Sequence, residues 1–192
     1  MFASMHSSAI NGQRPLQPVI IANMNKRTRR LDWILALGCV ACLSVLALAG
    51  IDHGEAAPRF SAKTLDGERI TNETAKGKIL LIQFWTTWCK YCRKDQPVLD
   101  EFATKYGNDG LVIVAVNVGE SRKKVREYLE ASPRKGKIVL MEDTNLAAAF
   151  RAQGFPYYVA IDAKGNVAGV QGGSGGAESL EELLRRAGLR VE

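Results

Sequence analysis

Phe84-Trp85-Thr86-Thr87-Trp88-Cys89-Lys90-Tyr91-Cys92-Arg93-Lys94 decides how this chain folds, because an apolar run ends there in two thiols separated by two residues. Upstream, Ile79-Leu80-Leu81-Ile82-Gln83-Phe84 follows the turn Lys76-Gly77-Lys78 and is too short for a typical helix. It reads as a buried parallel strand. Downstream, Val98, Leu99, Phe102, Ala103 and Tyr106 recur at spacings of three and four, which predicts a helix over residues 95–106 packed on a sheet. The cysteines therefore sit where a strand gives way to a helix.

That position has chemical consequences. The unpaired N–H groups of a helix's first turn, together with its macrodipole, favour negative charge. Cys89 is the sulfur best placed to become a thiolate, and Lys90, Arg93 and Lys94 add positive potential. Both effects hold its pKa below the roughly 8.5 of a free thiol. Cys92 is close enough to reach back. Cys89 would attack a partner disulfide, and Cys92 would release the partner by attacking Cys89 in turn. A structural disulfide or half of a zinc site are the plainer readings. Zinc needs two further ligands, and the other cysteines, Cys39 and Cys42, lie within a hydrophobic run, where they act as small hydrophobes. The strand-to-helix context favours redox chemistry.

The chain has 192 residues and a net charge of +6, of which +4 falls in residues 1–50 and only +2 in the rest. A nucleic-acid-binding domain carries its excess on the folded part, so no nucleic acid partner is expected. Residues 1–30 read as a disordered basic leader in which Met24 is a candidate natural start. Residues 31–50 form an apolar run behind the basic flank Lys26-Arg27-Thr28-Arg29-Arg30, the pattern of a transmembrane anchor or a signal segment. A retained anchor is favoured over cleavage after Ala49. The charge asymmetry puts the N-terminus in the cytoplasm and everything after the anchor outside it, in the periplasm. Residues 51–58 read as a linker and residues 59–192 as one domain. His6 and His53, in the leader and linker, read as solvated residues.

Within that domain Asp66-Gly67, between residues 59–64 and 68–71, signals a hairpin. Residues 111–118 are the longest β-rich run and predict a central strand buried on both faces. Residues 122–131 predict an amphipathic surface helix, and residues 137–141 a further strand. Asp143, Thr144 and Asn145 are cap candidates for a helix reaching about Ala152. Pro156 opens a strand over residues 157–162, which pairs through the Lys164-Gly165-Asn166 turn with residues 167–170. Gly172-Gly173-Ser174-Gly175-Gly176 lacks the Lys-Ser/Thr of a phosphate loop and reads as a flexible connector; residues 178–187 close the chain as a helix. Alternating strands and helices make an α/β layered domain.

From about residue 57 to 189 the chain resembles the TlpA and ResA branch of the thioredoxin superfamily, membrane-anchored thiol–disulfide oxidoreductases of the bacterial envelope. The resemblance rests on Trp88-Cys89-Lys90-Tyr91-Cys92, on Val114-Ala115-Val116-Asn117-Val118-Gly119-Glu120-Ser121, and on Gly154-Phe155-Pro156. It implies a thioredoxin fold: a central mixed sheet of four or five strands flanked by helices, with an extra N-terminal hairpin. It also implies a cis Pro156 beside the sulfurs, turning the Phe155 backbone toward Cys89 to pair with an extended substrate. Departures from the pattern are informative. The buried aspartate six residues before the first cysteine is replaced by Gln83, which is no base. Asp95 stands where branch members often carry glutamate. It would either take the Cys92 proton or serve as a first-turn acid of the helix. Tyr91 replaces the usual proline, Trp85 and Trp88 are candidates to shield the site, and Pro97 interrupts the helix's hydrogen bonding.

The expected function is an exported reductase acting on protein thiols and disulfides, supplied with electrons by a membrane donor protein, with cytochrome c maturation as the implied pathway. No cofactor is required, because the sulfurs carry the electrons. An oxidase is the near alternative, since stabilising the thiolate makes a stronger oxidant. A copper(I) carrier, with Cys89 and Cys92 as soft ligands, and an inert scaffold with a locked disulfide are the others. Peroxidase activity is disfavoured by the immediate second thiol.

Overall fold

The computed structural model describes residues 54–191. The expected leader, the anchor over 31–50 and the first part of the linker lie outside these residues. Among the described residues, no helix is long and apolar enough to cross a membrane.

Seven strands form one sheet: β1 (Ser61–Thr64), β2 (Arg69–Thr71), β3 (Ile79–Trp85), β4 (Leu111–Asn117), β5 (Lys137–Thr144), β6 (Tyr157–Ile161) and β7 (Val167–Gly172). Their order is β2-β1-β5-β4-β3-β6-β7. β3, β4 and β5 run parallel, while β6, β7 and the β1–β2 hairpin are antiparallel to their neighbours. The hairpin thus extends a five-stranded sheet by docking on β5. Residues 54–57, in the expected linker, are hydrogen-bonded onto the β6–β7 turn: the Gly54 and Ala57 N–H groups donate to the Val167 and Gly165 carbonyls.

All seven residues of β3 are buried, as a strand covered on both faces demands. Leu80, Ile82 and Phe84 pack with Phe60, Ile70 and Phe150 on one face. Leu81 faces the other, against Leu99 and Phe102 of helix α1 (Lys90–Lys105) and Leu180 and Leu184 of helix α4 (Gly176–Arg186). Burying each such leucine contributes roughly 1.5–3 kcal/mol. Because side chains alternate along a strand, Gln83 and Trp85 share the face of Leu81 and point toward α1.

Helix α1 begins at Lys90, five residues earlier than the apolar periodicity predicts. Its first turn escapes that pattern because Tyr91, Arg93 and Lys94 face solvent. Asp95 consequently lies in the second turn, which removes its reading as a first-turn acid. Helix α2 (Arg122–Ala131) is capped by the Ser121 side chain, which accepts from the Lys124 N–H. Helix α3 is a single turn, Leu146–Ala149, rather than reaching Ala152, and Arg151 just beyond it has a φ of 48°, incompatible with continuing a right-handed helix. Of the three cap candidates only Thr144 serves, its hydroxyl accepting from the Leu146 N–H. Asn145 instead ties back to residues 59–61.

Candidate redox site

Cys89 is the N-cap of α1 and is joined to Cys92 by a disulfide. The Cys92 N–H donates to Cys89 Sγ at 3.0 Å. One of the orphan amides of the helix's first turn is therefore already directed at the sulfur that would carry charge. Cys89 is 3% exposed and Cys92 wholly buried, so an incoming group reaches Cys89 first.

The rim is aromatic and cationic. Trp88 and Tyr91 are the most exposed large apolar side chains among the described residues. The Trp88 ring stands edge-on to Phe155, 6.1 Å between centroids. Trp85, the other tryptophan expected to shield the site, is fully buried in the cluster holding the two cysteines. Phe155 packs against the same cluster, and the Phe155–Pro156 peptide is cis. The Pro156 carbonyl accepts from the Gly173 N–H. Lys90 and Lys94 are exposed, while Arg93 turns its Nη1 to the Thr87 carbonyl at 3.0 Å.

Thr87, two residues before Cys89, is also held from the other side. Its N–H and hydroxyl both donate to the Glu120 carboxylate at 2.6 Å. Asn117 Nδ2 and Lys124 Nζ complete four donors on that carboxylate, at 2.8 and 2.7 Å. Burial works against the Glu120 charge, but the hydrogen bonds from Asn117, Lys124 and Thr87 outweigh it and bring the pKa from 4.5 to about 2.

Behind Cys92 lies a buried polar group. Asp95, 1% exposed, accepts from the Tyr158 hydroxyl at 2.9 Å and from the Ser174 hydroxyl at 2.5 Å. Gln83 donates to the Tyr158 oxygen at 3.3 Å and accepts from Arg134 at 3.2 Å. Burial, then the neighbouring Asp95 carboxylate, pushes the Tyr158 pKa up. The glycine-rich segment expected to be a plain connector thus supplies a hydroxyl to the site.

The structure brings Cys89, Cys92, Trp88, Phe155 and Pro156 into one place, with Lys90 and Tyr91 on the rim and Asp95 and Gln83 beneath. The sequence reading assigns no site role to Glu120, Thr87, Arg134, Tyr158 or Ser174, although Thr87, Glu120 and Ser174 fall within stretches it quotes. Glu120 alone had a signal: it follows the C-terminal end of a central parallel strand, where sites of α/β sheets collect. Among the described residues no group of three His, Cys, Asp or Glu gathers as metal ligands. The two sulfurs and the carboxylate are suited to exchange of disulfides.

Comparison with known proteins agrees with this chemistry. The Redoxin family model matches residues 52–184. The thioredoxin-like protein YneN of Bacillus subtilis is 34% identical over 138 residues, covering 70% of this chain and 80% of its own. The thiol-disulfide oxidoreductase ResA of the same organism is 32% identical over 142 residues, 73% of this chain and 79% of its own. A thiol:disulfide interchange protein of the thioredoxin family from Chlorobium tepidum superposes with a TM-score of 0.62 at 27% identity, covering 71% of this chain and 97% of that one. The chain therefore belongs to the Redoxin family, as a thiol–disulfide oxidoreductase of the TlpA/ResA-like kind within the thioredoxin superfamily.

Proposed function

We propose that this oxidoreductase is a reductase of extracytoplasmic protein disulfides, held to the inner membrane by residues 31–50 and recharged by a membrane electron-donor protein. The observation that carries the exchange chemistry is the Cys92 N–H directed at Cys89 Sγ. It stabilises a Cys89 thiolate, the attacking species. An extended substrate strand docks along Phe155, whose N–H and C=O are unengaged among the described residues, with Pro156 fixing the turn and Trp88 and Tyr91 covering the captured segment. Cys89 forms the mixed disulfide. Cys92 then loses its proton to Asp95, one helical turn away on the same buried face, and displaces the partner. The disulfide form is the product of that cycle.

The likeness to ResA supports the reductase direction, and the basic flank with its apolar run supports the location. Cytochrome c maturation is the pathway in which such a reductase would act. The couple's reduction potential tests direction. A reductase lies near the roughly −270 mV of thioredoxin, whereas a value near −120 mV, that of a strong oxidant, overturns this reading. Labelling of intact cells with a membrane-impermeant thiol reagent tests location: Cys89 reacts if the domain is outside the cytoplasm and is silent if it is not.

A further inference from the structure

Arg134, in the loop between α2 and β5, is a half-buried cation whose guanidinium is turned inward, where disulfide exchange has no direct need of one. Its guanidinium carbon lies 3.5 Å from the centroid of the Trp85 ring and 5.8 Å from that of Tyr128. Nη1 donates to Gln83 Oε1 at 3.2 Å. Nε and Nη2 are buried without a hydrogen-bond partner of good geometry, although Tyr128 is close enough to favour the charge. Burial lowers the guanidinium pKa. A buried cation satisfied this incompletely weakens the fold relative to an apolar side chain of the same shape, even with two aromatic faces in reach. Packing alone therefore does not account for it.

Its consequence is directional. A guanidinium only donates, so Gln83 must present its oxygen to Arg134 and its amide nitrogen to the Tyr158 oxygen. With that oxygen accepting, the Tyr158 proton goes to Asp95 Oδ2. Ser174 gives its own proton to Asp95 Oδ1. Turning the Gln83 amide round would set N–H against N–H at Arg134.

We propose that Arg134 is a positioning residue for the second half of exchange: through Gln83 and Tyr158 it fixes the direction of a hydrogen-bond chain that keeps Asp95 a proton acceptor toward Cys92. Ser174 closes the chain from the other side. The inference rests on the reading that Asp95 takes the Cys92 proton. In that step the Cys92 S–H proton passes to an Asp95 oxygen, and the freed sulfur pair forms the bond to Cys89 Sγ. The bond between Cys89 and the partner sulfur breaks, and the partner leaves as a thiolate. Cys92 is oxidised as the partner sulfur is reduced.

The full-length chain carrying Cys39→Ser and Cys42→Ser, reduced and mixed with 5,5′-dithiobis(2-nitrobenzoate), releases one thionitrobenzoate on capture by Cys89 and a second on resolution by Cys92, so stopped flow gives both rates. In Arg134→Met the ratio of resolution to capture falls about tenfold, a fraction of what a general base contributes, while thermal stability is unchanged or higher. Arg134→Lys, of nearly the same shape but still a donor, keeps the ratio within about threefold of the parent. Tyr158→Phe cuts the chain at another link and gives the same loss as Arg134→Met, which decides the matter if the latter fails to fold. An unchanged ratio in Arg134→Met or Tyr158→Phe, or an equal loss in Met and Lys variants, overturns the chain. Asp95→Asn tests the underlying reading: if it leaves the ratio untouched, Asp95 is not the acceptor and the chain falls with it. If it slows resolution while Tyr158→Phe does not, only the chain is wrong.

Discussion

Replacing Glu120 by glutamine should loosen the segment that carries Cys89, by an amount set by the four donors that converge on its carboxylate. Each oxygen takes two: Thr87 N–H and Asn117 Nδ2 on Oε2, Thr87 hydroxyl and Lys124 on Oε1. Glutamine can serve only one pair, and it does least harm with its nitrogen toward the Thr87 hydroxyl, which can rotate, and Lys124, which can swing into solvent. The Glu120 side chain is 5% exposed, so the depression from 4.5 to about 2 needs little discount for solvent. It corresponds to about 3 kcal/mol of stability at neutral pH. The sign follows from a folded-state value below the unfolded one: the contribution is complete above pH 4.5 and is lost as pH falls toward 2. About 2 kcal/mol of it has gone by pH 3. Urea unfolding of parent and Glu120→Gln at pH 7 and pH 3 measures this. We expect a gap of about 2–3 kcal/mol at pH 7 that shrinks to about 1 at pH 3. A gap under about 0.5 kcal/mol at pH 7, or one that does not shrink in acid, would refute the clamp.

Three further outcomes follow from the same geometry. Cys92→Ala should accumulate a mixed disulfide with its substrate protein, seen as a reductant-sensitive band shift, whereas Cys89→Ala should give none; capture by the Cys89→Ala protein instead would reverse the two roles. Among disulfide peptides, those with Asp or Glu beside the cysteine should react about tenfold faster at low salt than those with Lys. Lys90→Glu combined with Lys94→Glu should invert that order, and the parent's preference should fade as salt shortens the Debye length. Trp88→Ala should raise the KM for a peptide disulfide more than it lowers kcat, because the ring is exposed on the rim beside Phe155, where an incoming peptide would lie, and takes no part in the hydrogen bonds of the sulfurs.

Continuous apolar runs made β3 and β4 legible, since a strand covered on both faces leaves no other room for such residues. The thiol spacing was legible for a local reason too: two residues between cysteines close a single helical turn. The start of α1 was hidden because its first turn faces solvent and carries no apolar period. The supports of the site were hidden because they join parts of the chain far apart in sequence. Thr87 and Glu120 are 33 residues apart, Gln83 and Arg134 are 51, and Asp95 and Ser174 are 79. No local pattern encodes a hydroxyl delivered by a glycine-rich loop to a carboxylate on a distant helix. An amide such as Gln83 is no base, and its use as a link that both accepts and donates appears only when Arg134 and Tyr158 are seen on either side of it.

The account stands on Cys89 being an anion held by the first turn of α1. The rate at which iodoacetamide alkylates the fully reduced protein carrying Cys39→Ser and Cys42→Ser, followed from pH 4 to 10, reads this directly, because only the thiolate reacts and Cys89 is the more accessible of the two remaining sulfurs. We predict a midpoint well below the roughly 8.5 of an unperturbed thiol. A midpoint at or above that value would contradict the central claim.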